Sequence, residues 1–149
     1  MNRDYATAIS LIKGITVGEA ALIASLSNVS AILKELDGFF WVGFYIVKDD
    51  QLVVGPYQGP VACSRIARGK GVCGTSWEEK RAIVVKNVHD FPGHIACSPE
   101  SQSEIVIPIF DKNQNVAMIL DVDSSSLDGF DLEDQQALEE VGKIITELI

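Results

Sequence analysis

The residues with the greatest chemical reach in this sequence are three cysteines, Cys63, Cys73 and Cys97. Nine residues separate the first two and twenty-three the second and third, so no pair has the C-x-x-C spacing of a zinc ribbon or of a dithiol redox motif. His94, three residues before Cys97, offers half of a metal site, and no second closely spaced pair completes it. The cysteines sit in polar or glycine-rich surroundings, Val61-Ala62-Cys63-Ser64-Arg65, Gly71-Val72-Cys73-Gly74 and His94-Ile95-Ala96-Cys97-Ser98. Inert core thiols belong instead in Val/Ile-rich runs. A loop thiol near Arg or His can ionise near neutral pH, which makes these three candidate reactive thiols; the alternative is a small buried hydrophobe at any one of them.

The acids carry a second signal. Asp121 and Asp123 end an apolar run, and the two-residue period of a strand puts both on one face, opposite Leu120 and Val122. Like charges that close are unfavourable unless a cation lies between them or one of them keeps a proton. Glu104 opens the preceding run with Ile105, Ile107 and Ile109 on the opposite face, so it reaches the aspartates if the pairing register allows. The alternative is three solvent-facing acids at strand ends. Trp41 and Tyr45 share a face with Gly43 between them, which leaves a slot for a ligand, although such a pair can equally be core or interface. Gly69-Lys70-Gly71-Val72-Cys73-Gly74 formally matches G-x-G-x-x-G but lacks the preceding strand and the βαβ unit of a dinucleotide site. Its glycines can still aim backbone N–H groups at a small anion, at the start of a short helix through Thr75–Glu79.

Positioning these groups requires a scaffold, and hydrophobic spacing indicates which. A short helix over Tyr5–Lys13 is predicted to end at Gly14, and Leu22, Leu26, Val29, Leu33 and Leu36 fall on one face of a longer one. Leu138, Val141, Ile145 and Leu148 repeat the pattern at the other end, with Asp131 as N-cap and Glu133 and Asp134 in the first turn. Between the helices, Phe39–Val47, Gln51–Pro56, Arg81–Lys86, Ile105–Phe110 and Val116–Asp123 read as strands. Lys48-Asp49-Asp50 and Asp111–Asn115 have hairpin length and polarity. Pro108 cannot donate to a ladder, so an edge, bulge or strand end is expected there. Asn87–Ser103 lacks periodicity and reads as a long loop, a segment type that usually carries function. The expected class is α+β: a single domain over residues 1–149 with an antiparallel sheet, the N- and C-terminal helices packed on one face, and a pocket lined by loops and a short helix on the other.

Composition limits the partners. The chain has 149 residues, 12 Lys+Arg against 21 Asp+Glu for a net charge of −9, and 47% hydrophobic residues. A chain of this size builds its own core without metal or disulfide staples. The acidic balance argues against nucleic acid and against anionic membrane surfaces. No spanning helix or signal peptide is expected, the opening Met1-Asn2-Arg3-Asp4 being too polar, so the expected location is the cytoplasm, where thiols stay reduced.

Taken with these residues, the segments Trp41–Tyr45, Gly55–Cys63, Gly69–Gly74, Pro92–Cys97, Ser103–Pro108 and Leu120–Ser124 closely resemble the free methionine-(R)-sulfoxide reductases, enzymes made of a single GAF domain. Ser98 stands where that family carries an acid, and Ala117-Met118 where it carries a glycine-containing pair. The resemblance implies that the Cys97 thiolate attacks the sulfur of free L-methionine-(R)-sulfoxide and becomes a sulfenic acid, that Cys63 resolves it to a disulfide, with Cys73 as an alternative resolving thiol, and that thioredoxin restores the thiols. It implies that one acid among Glu104, Asp121 and Asp123 protonates the sulfoxide while the others bind the substrate ammonium, and that Trp41 and Tyr45 cage the methyl group. It further implies a homodimer that uses no metal and no organic cofactor. Two rival readings are a GAF module that binds a small molecule and signals, and a thiol redox sensor. With no linker or further domain after the last helix a signalling output is not expected, and a redox sensor leaves Trp41, Tyr45 and the acids unexplained.

Overall fold

The computed structural model describes residues 2–95 and 97–149. It consists of helices α1 (Tyr5–Thr16), α2 (Leu22–Lys34), α3 (Gly71–Glu79) and α4 (Leu132–Thr146), and strands β1 (Trp41–Lys48), β2 (Gln51–Gln58), β3 (Arg65–Ala67), β4 (Ile83–Val85), β5 (Ser103–Phe110) and β6 (Val116–Ser124). The strands form one sheet in the order β3-β2-β1-β6-β5-β4, antiparallel at every junction. No helix among the described residues is long and apolar enough to cross a membrane.

Strand alternation divides the interior in two. Val42 and Phe44 of β1, Ile105, Ile107 and Ile109 of β5, and Met118, Leu120 and Val122 of β6 point to one side, where they meet Ile12 of α1, Leu26, Val29 and Leu33 of α2, and Leu138, Val141 and Ile145 of α4. The other side carries Trp41, Tyr45, Val106 and Ile119, covered by Val72, Cys73 and Trp77 of α3. This is the expected α+β arrangement.

Local chemistry accounts for most boundaries. The β1–β2 hairpin turns on Asp49 and Asp50, both left-handed (φ 51° and 62°), the geometry that matches strand twist in a two-residue turn. Asp111 Oδ1 accepts from the N–H groups of Asn113 (2.8 Å) and Asn115 (3.0 Å) and so closes the β5–β6 turn. Asp131 caps α4 in a reciprocal capping box with Asp134. Pro108 lies beyond the stretch of β5 that pairs with β4, on a segment laddered only to β6, so its missing N–H breaks no second ladder.

Several boundaries differ from expectation. Gly14 does not end α1, which continues to Thr16 and stops where Val17 turns extended and Gly18 takes φ 76°. A lone glycine only weakens a helix, by about 1 kcal/mol. Leu36 lies just past α2, and Phe39 and Phe40 precede β1. β2 continues past Pro56 because a bulge sets Gly55 and Pro56 opposite Phe44. The strand expected over Arg81–Lys86 is only β4, β3 adds a sixth strand, and a turn of 3₁₀ helix at Val88–Asp90 interrupts the loop expected over Asn87–Ser103.

Arg3 ties the chain start to the rest. It is buried, donates to Asp134 Oδ1 (2.8 Å), to the Asp37 carbonyl (2.7 Å) and to the Gly129 carbonyl (3.0 Å), and lies over the rings of Phe39 and Phe130. Tyr5 Oη also donates to Asp134 Oδ1. Removing one partner strands the other as an unpaired buried charge. Asp134→Ala should lower the unfolding free energy by about 3–5 kcal/mol in urea titrations. Adding Arg3→Ala should cost far less than the sum of the two single changes.

Candidate active site

The register of β6 assembles the site. Asp123 lies opposite Trp41 of β1 and opposite Glu104 of β5, and Asp121 lies opposite Gly43 and Val106. Glu104 therefore does share the aspartates' face, as does Tyr45, on the side away from α1, α2 and α4. The solvent-facing alternative fails for Glu104 and Asp121, each only 6% exposed, while Asp123 is partly buried.

These side chains line a cavity of about 50 Å³ together with Cys73 of α3 and, from the loop over the sheet, Ile95 and Cys97. That loop is closed at its base, where Val88 N–H donates to the Gln102 carbonyl (2.9 Å) and Gln102 N–H to the Ser124 carbonyl (2.8 Å). Its outer part is bonded covalently to the β2–β3 connection, since Cys97 and Cys63 form a disulfide with their Cα atoms 5.4 Å apart. His94 also lines the cavity, and burial holds its imidazole toward the neutral form, so it adds no fixed positive charge beside Cys97. Arg65 turns outward to Gln51 Oε1 (3.1 Å). The half metal site of His94 and Cys97 has its sulfur taken up by the disulfide.

The aromatic wall is more crowded than expected. Trp41 Nε1 donates to the Pro60 carbonyl (3.0 Å), and its indole stacks between Tyr57 (5.1 Å) and Tyr45 (6.0 Å). A Cβ on Gly43 would come within 2.6 Å of Trp41 Cη2, so the slot over this glycine is filled by the indole itself. Tyr45 Oη donates to the Cys63 carbonyl (3.0 Å), which fixes the cysteine-bearing connection to the central sheet. Tyr57 lies beyond the strand expected to end at Pro56; its signal is the aromatic one residue past that proline.

Cys73 departs from expectation. It is not a loop thiol but a helical residue, 4% exposed, because α3 starts four residues before Thr75. Burial pushes its thiol well above the usual range, and the charges of Asp121 and Glu104 push the same way, so it is no low-pKa thiolate. The glycines that suggested a loop serve close packing: a Cβ on Gly74 would sit 2.5 Å from the Ala67 carbonyl. Gly71 and Val72, at the start of α3, do line the cavity, as an anion-binding helix terminus requires.

Burial raises all three carboxyls. Glu104 and Asp123 rise well above the ordinary carboxylate range, first through desolvation and then through the charge of Asp121. Asp121 rises as well, by desolvation, though hydrogen bonds with Glu104 and Cys73 favour its ionised form. Among the described residues Asp121 Oδ1 has no hydrogen-bond partner. One oxygen from each of Glu104 and Asp121 and the Cys73 sulfur lie within 4.8 Å of one another, close enough for one cation to bridge. The chemistry available is thus a proton-holding acid and an unsatisfied carboxylate under an aromatic wall, facing a disulfide on the covering loop.

The GAF domain family model matches residues 25–149. The chain is 48% identical over 143 residues to GAF domain-containing protein A of Dictyostelium discoideum, covering 95% of this chain and 90% of that protein. It is 43% identical over 142 residues to the free methionine-R-sulfoxide reductase of Escherichia coli (strain K12), covering 95% of this chain and 81% of that one. The X-ray structure of free methionine-R-sulfoxide reductase from Neisseria meningitidis in complex with its substrate superposes with a TM-score of 0.94 at 43% identity, over 97% of this chain and 87% of that chain. With fold and sequence in agreement along nearly its full length, the chain belongs to the free methionine-R-sulfoxide reductase family of GAF domains.

Proposed function

We propose that this protein is an oxidoreductase that reduces free L-methionine-(R)-sulfoxide to methionine. The observation that carries the proposal is the cluster of Glu104, Asp121 and Asp123 in one cavity with Cys97, the cysteine bonded to Cys63. Ligand-sensing GAF modules and redox sensors need no such acid trio.

In the reduced enzyme the Cys97 thiolate attacks the sulfoxide sulfur while an acid protonates the sulfoxide oxygen. The oxygen passes to Cys97 as a sulfenic acid and methionine leaves; the Cys63 thiol then attacks the sulfenic sulfur, releasing water and forming the disulfide. A dithiol reductant, thioredoxin, exchanges with that disulfide and takes the two electrons' worth of oxidation away. Cys63 is assigned as the resolving thiol over Cys73 because it is already bonded to Cys97, whereas Cys73 is a buried, protonated thiol.

The acids divide the remaining work. Glu104, beside both aspartates and strongly desolvated, holds its proton more tightly than an ordinary carboxyl and donates it to the sulfoxide oxygen. Asp121, with its unpartnered Oδ1, accepts the substrate ammonium, assisted by Asp123. Backbone N–H groups at the start of α3 take the carboxylate, and Trp41 and Tyr45 cover the methyl group. Methionine sulfoxide inside a polypeptide has amides at both ends and leaves Asp121 unpaired, which selects against it. The protein acts in the cytoplasm, as a homodimer joined along α1 and α2, where Leu11 (55% exposed) and Ile15 (47%) border an open apolar groove.

Methionine release should be seen with the free R epimer, and not with the S epimer or an N-acetylated, amidated R epimer, when thioredoxin recycles the enzyme. Turnover of the blocked compound at the rate of the free one would refute the ammonium role of Asp121. Cys97→Ser should be inactive, whereas Cys63→Ser should release about one methionine per chain in the absence of reductant. Glu104→Gln should lower kcat by about 10²–10⁴-fold. Because its folded pKa is raised, Glu104 favours the native state below the ordinary carboxylate range, and that contribution is lost as pH rises through the raised value. Thermal unfolding of wild type and Glu104→Gln should therefore coincide near about pH 4 and diverge above it, by up to about 1.4 kcal/mol per pH unit, with the variant the more stable. Light scattering should give twice the chain mass.

A further inference from the structure

The proposed reaction leaves Cys73 without a part to play, yet its sulfur faces the acids. Cys73 Sγ is 4.0 Å from Glu104 Oε2, and with one Asp121 oxygen these donors lie within 4.8 Å of one another. A second observation points to a ligand on the same side chain: Asp121 is 6% exposed, and its buried Oδ1 meets no donor among the described residues. A buried carboxylate oxygen without a partner is rare in native proteins, and a bound ion is one way to satisfy it. The donor set decides what that is. One sulfur and two carboxylates suit a borderline, low-coordinate cation such as Zn²⁺, whereas Mg²⁺ and Ca²⁺ need six or more hard oxygens. With three protein donors in reach, a fourth position is left for water.

We propose that Cys73, Glu104 and Asp121 form a binding site for a thiophilic divalent cation of the Zn²⁺ type. Binding displaces the thiol proton and the carboxyl proton to solvent with no change of oxidation state. The cation neutralises the crowded acids in place of the protons they otherwise retain. It also occupies the position assigned to the substrate ammonium, so it acts as an inhibitor rather than a cofactor; this last point alone rests on the reductase reading.

The disulfide-bonded protein provides a clean test, because Cys73 is then its one free thiol. Co²⁺, added as the probe, should produce a sulfur-to-cobalt charge-transfer band in the near ultraviolet that saturates at one Co²⁺ per chain and disappears on addition of Zn²⁺. Cys73→Ser should lose the band. Asp121→Asn, which keeps the thiol, should raise the Co²⁺ Kd by about tenfold or more. Absence of the band in the wild-type protein, or an unchanged Kd in Asp121→Asn, overturns the proposal. The readout is absorbance, so it stands or falls separately from sulfoxide turnover.

Discussion

The register that holds β6 between β1 and β5 is the constraint on which the rest of the structure depends. It places Asp123 between Trp41 and Glu104, and Asp121 between Gly43 and Val106. Strand side chains alternate, so a slip of one residue would exchange the two faces: the acids would enter the apolar layer beneath α1, α2 and α4, and Leu120, Val122 and Ile105 would enter the cavity. Both outcomes are prohibitive, since a charge in an apolar layer is far more costly than an exposed leucine. The alternation that builds the core therefore also defines the acid-lined face.

That face is a concentrated source of instability. Three carboxyls and a thiol, desolvated together, cannot all ionise, and the charge of Asp121 raises the hold of Cys73, Glu104 and Asp123 on their protons. The rest of the fold offsets this. Phe44, Leu120 and Leu138 are fully buried in the layer between sheet and long helices, and Arg3, Asp134 and Tyr5 hold the chain start against α4. Structural stabilisation on one face of the sheet permits an unfavourable electrostatic arrangement on the other, a division common where chemistry needs perturbed groups.

The legible parts of the sequence were those in which one local rule acted alone. The alternation of Trp41–Tyr45 and Leu120–Asp123, the polar hairpin turns and the Asp131 cap each dictated what the structure contains. The three-residue β3 exists through its pairing with β2, and three residues hold no period to detect. Cys73 read as a loop residue because glycines flank it, but one of them, Gly74, lets α3 approach Ala67 closely. The slot over Gly43 is filled by Trp41 and by Tyr57, which stacks on Trp41 and lies beyond a proline that ordinarily ends a strand. Misreadings of the site thus arose where tertiary contact reversed the local meaning of glycine or proline.

The Cys63–Cys97 bond also links chemistry to chain statistics. It joins residues 34 apart in sequence, and closing a loop of that length removes conformational entropy from the unfolded chain worth on the order of 4 kcal/mol at 25 °C. A protein that forms and breaks this bond alternates between two denatured ensembles of different breadth. Its resistance to unfolding, and to proteolysis that proceeds through the open chain, would then rise while oxidised and fall when reductant arrives. Endurance of the polypeptide becomes a running record of how recently it was reduced.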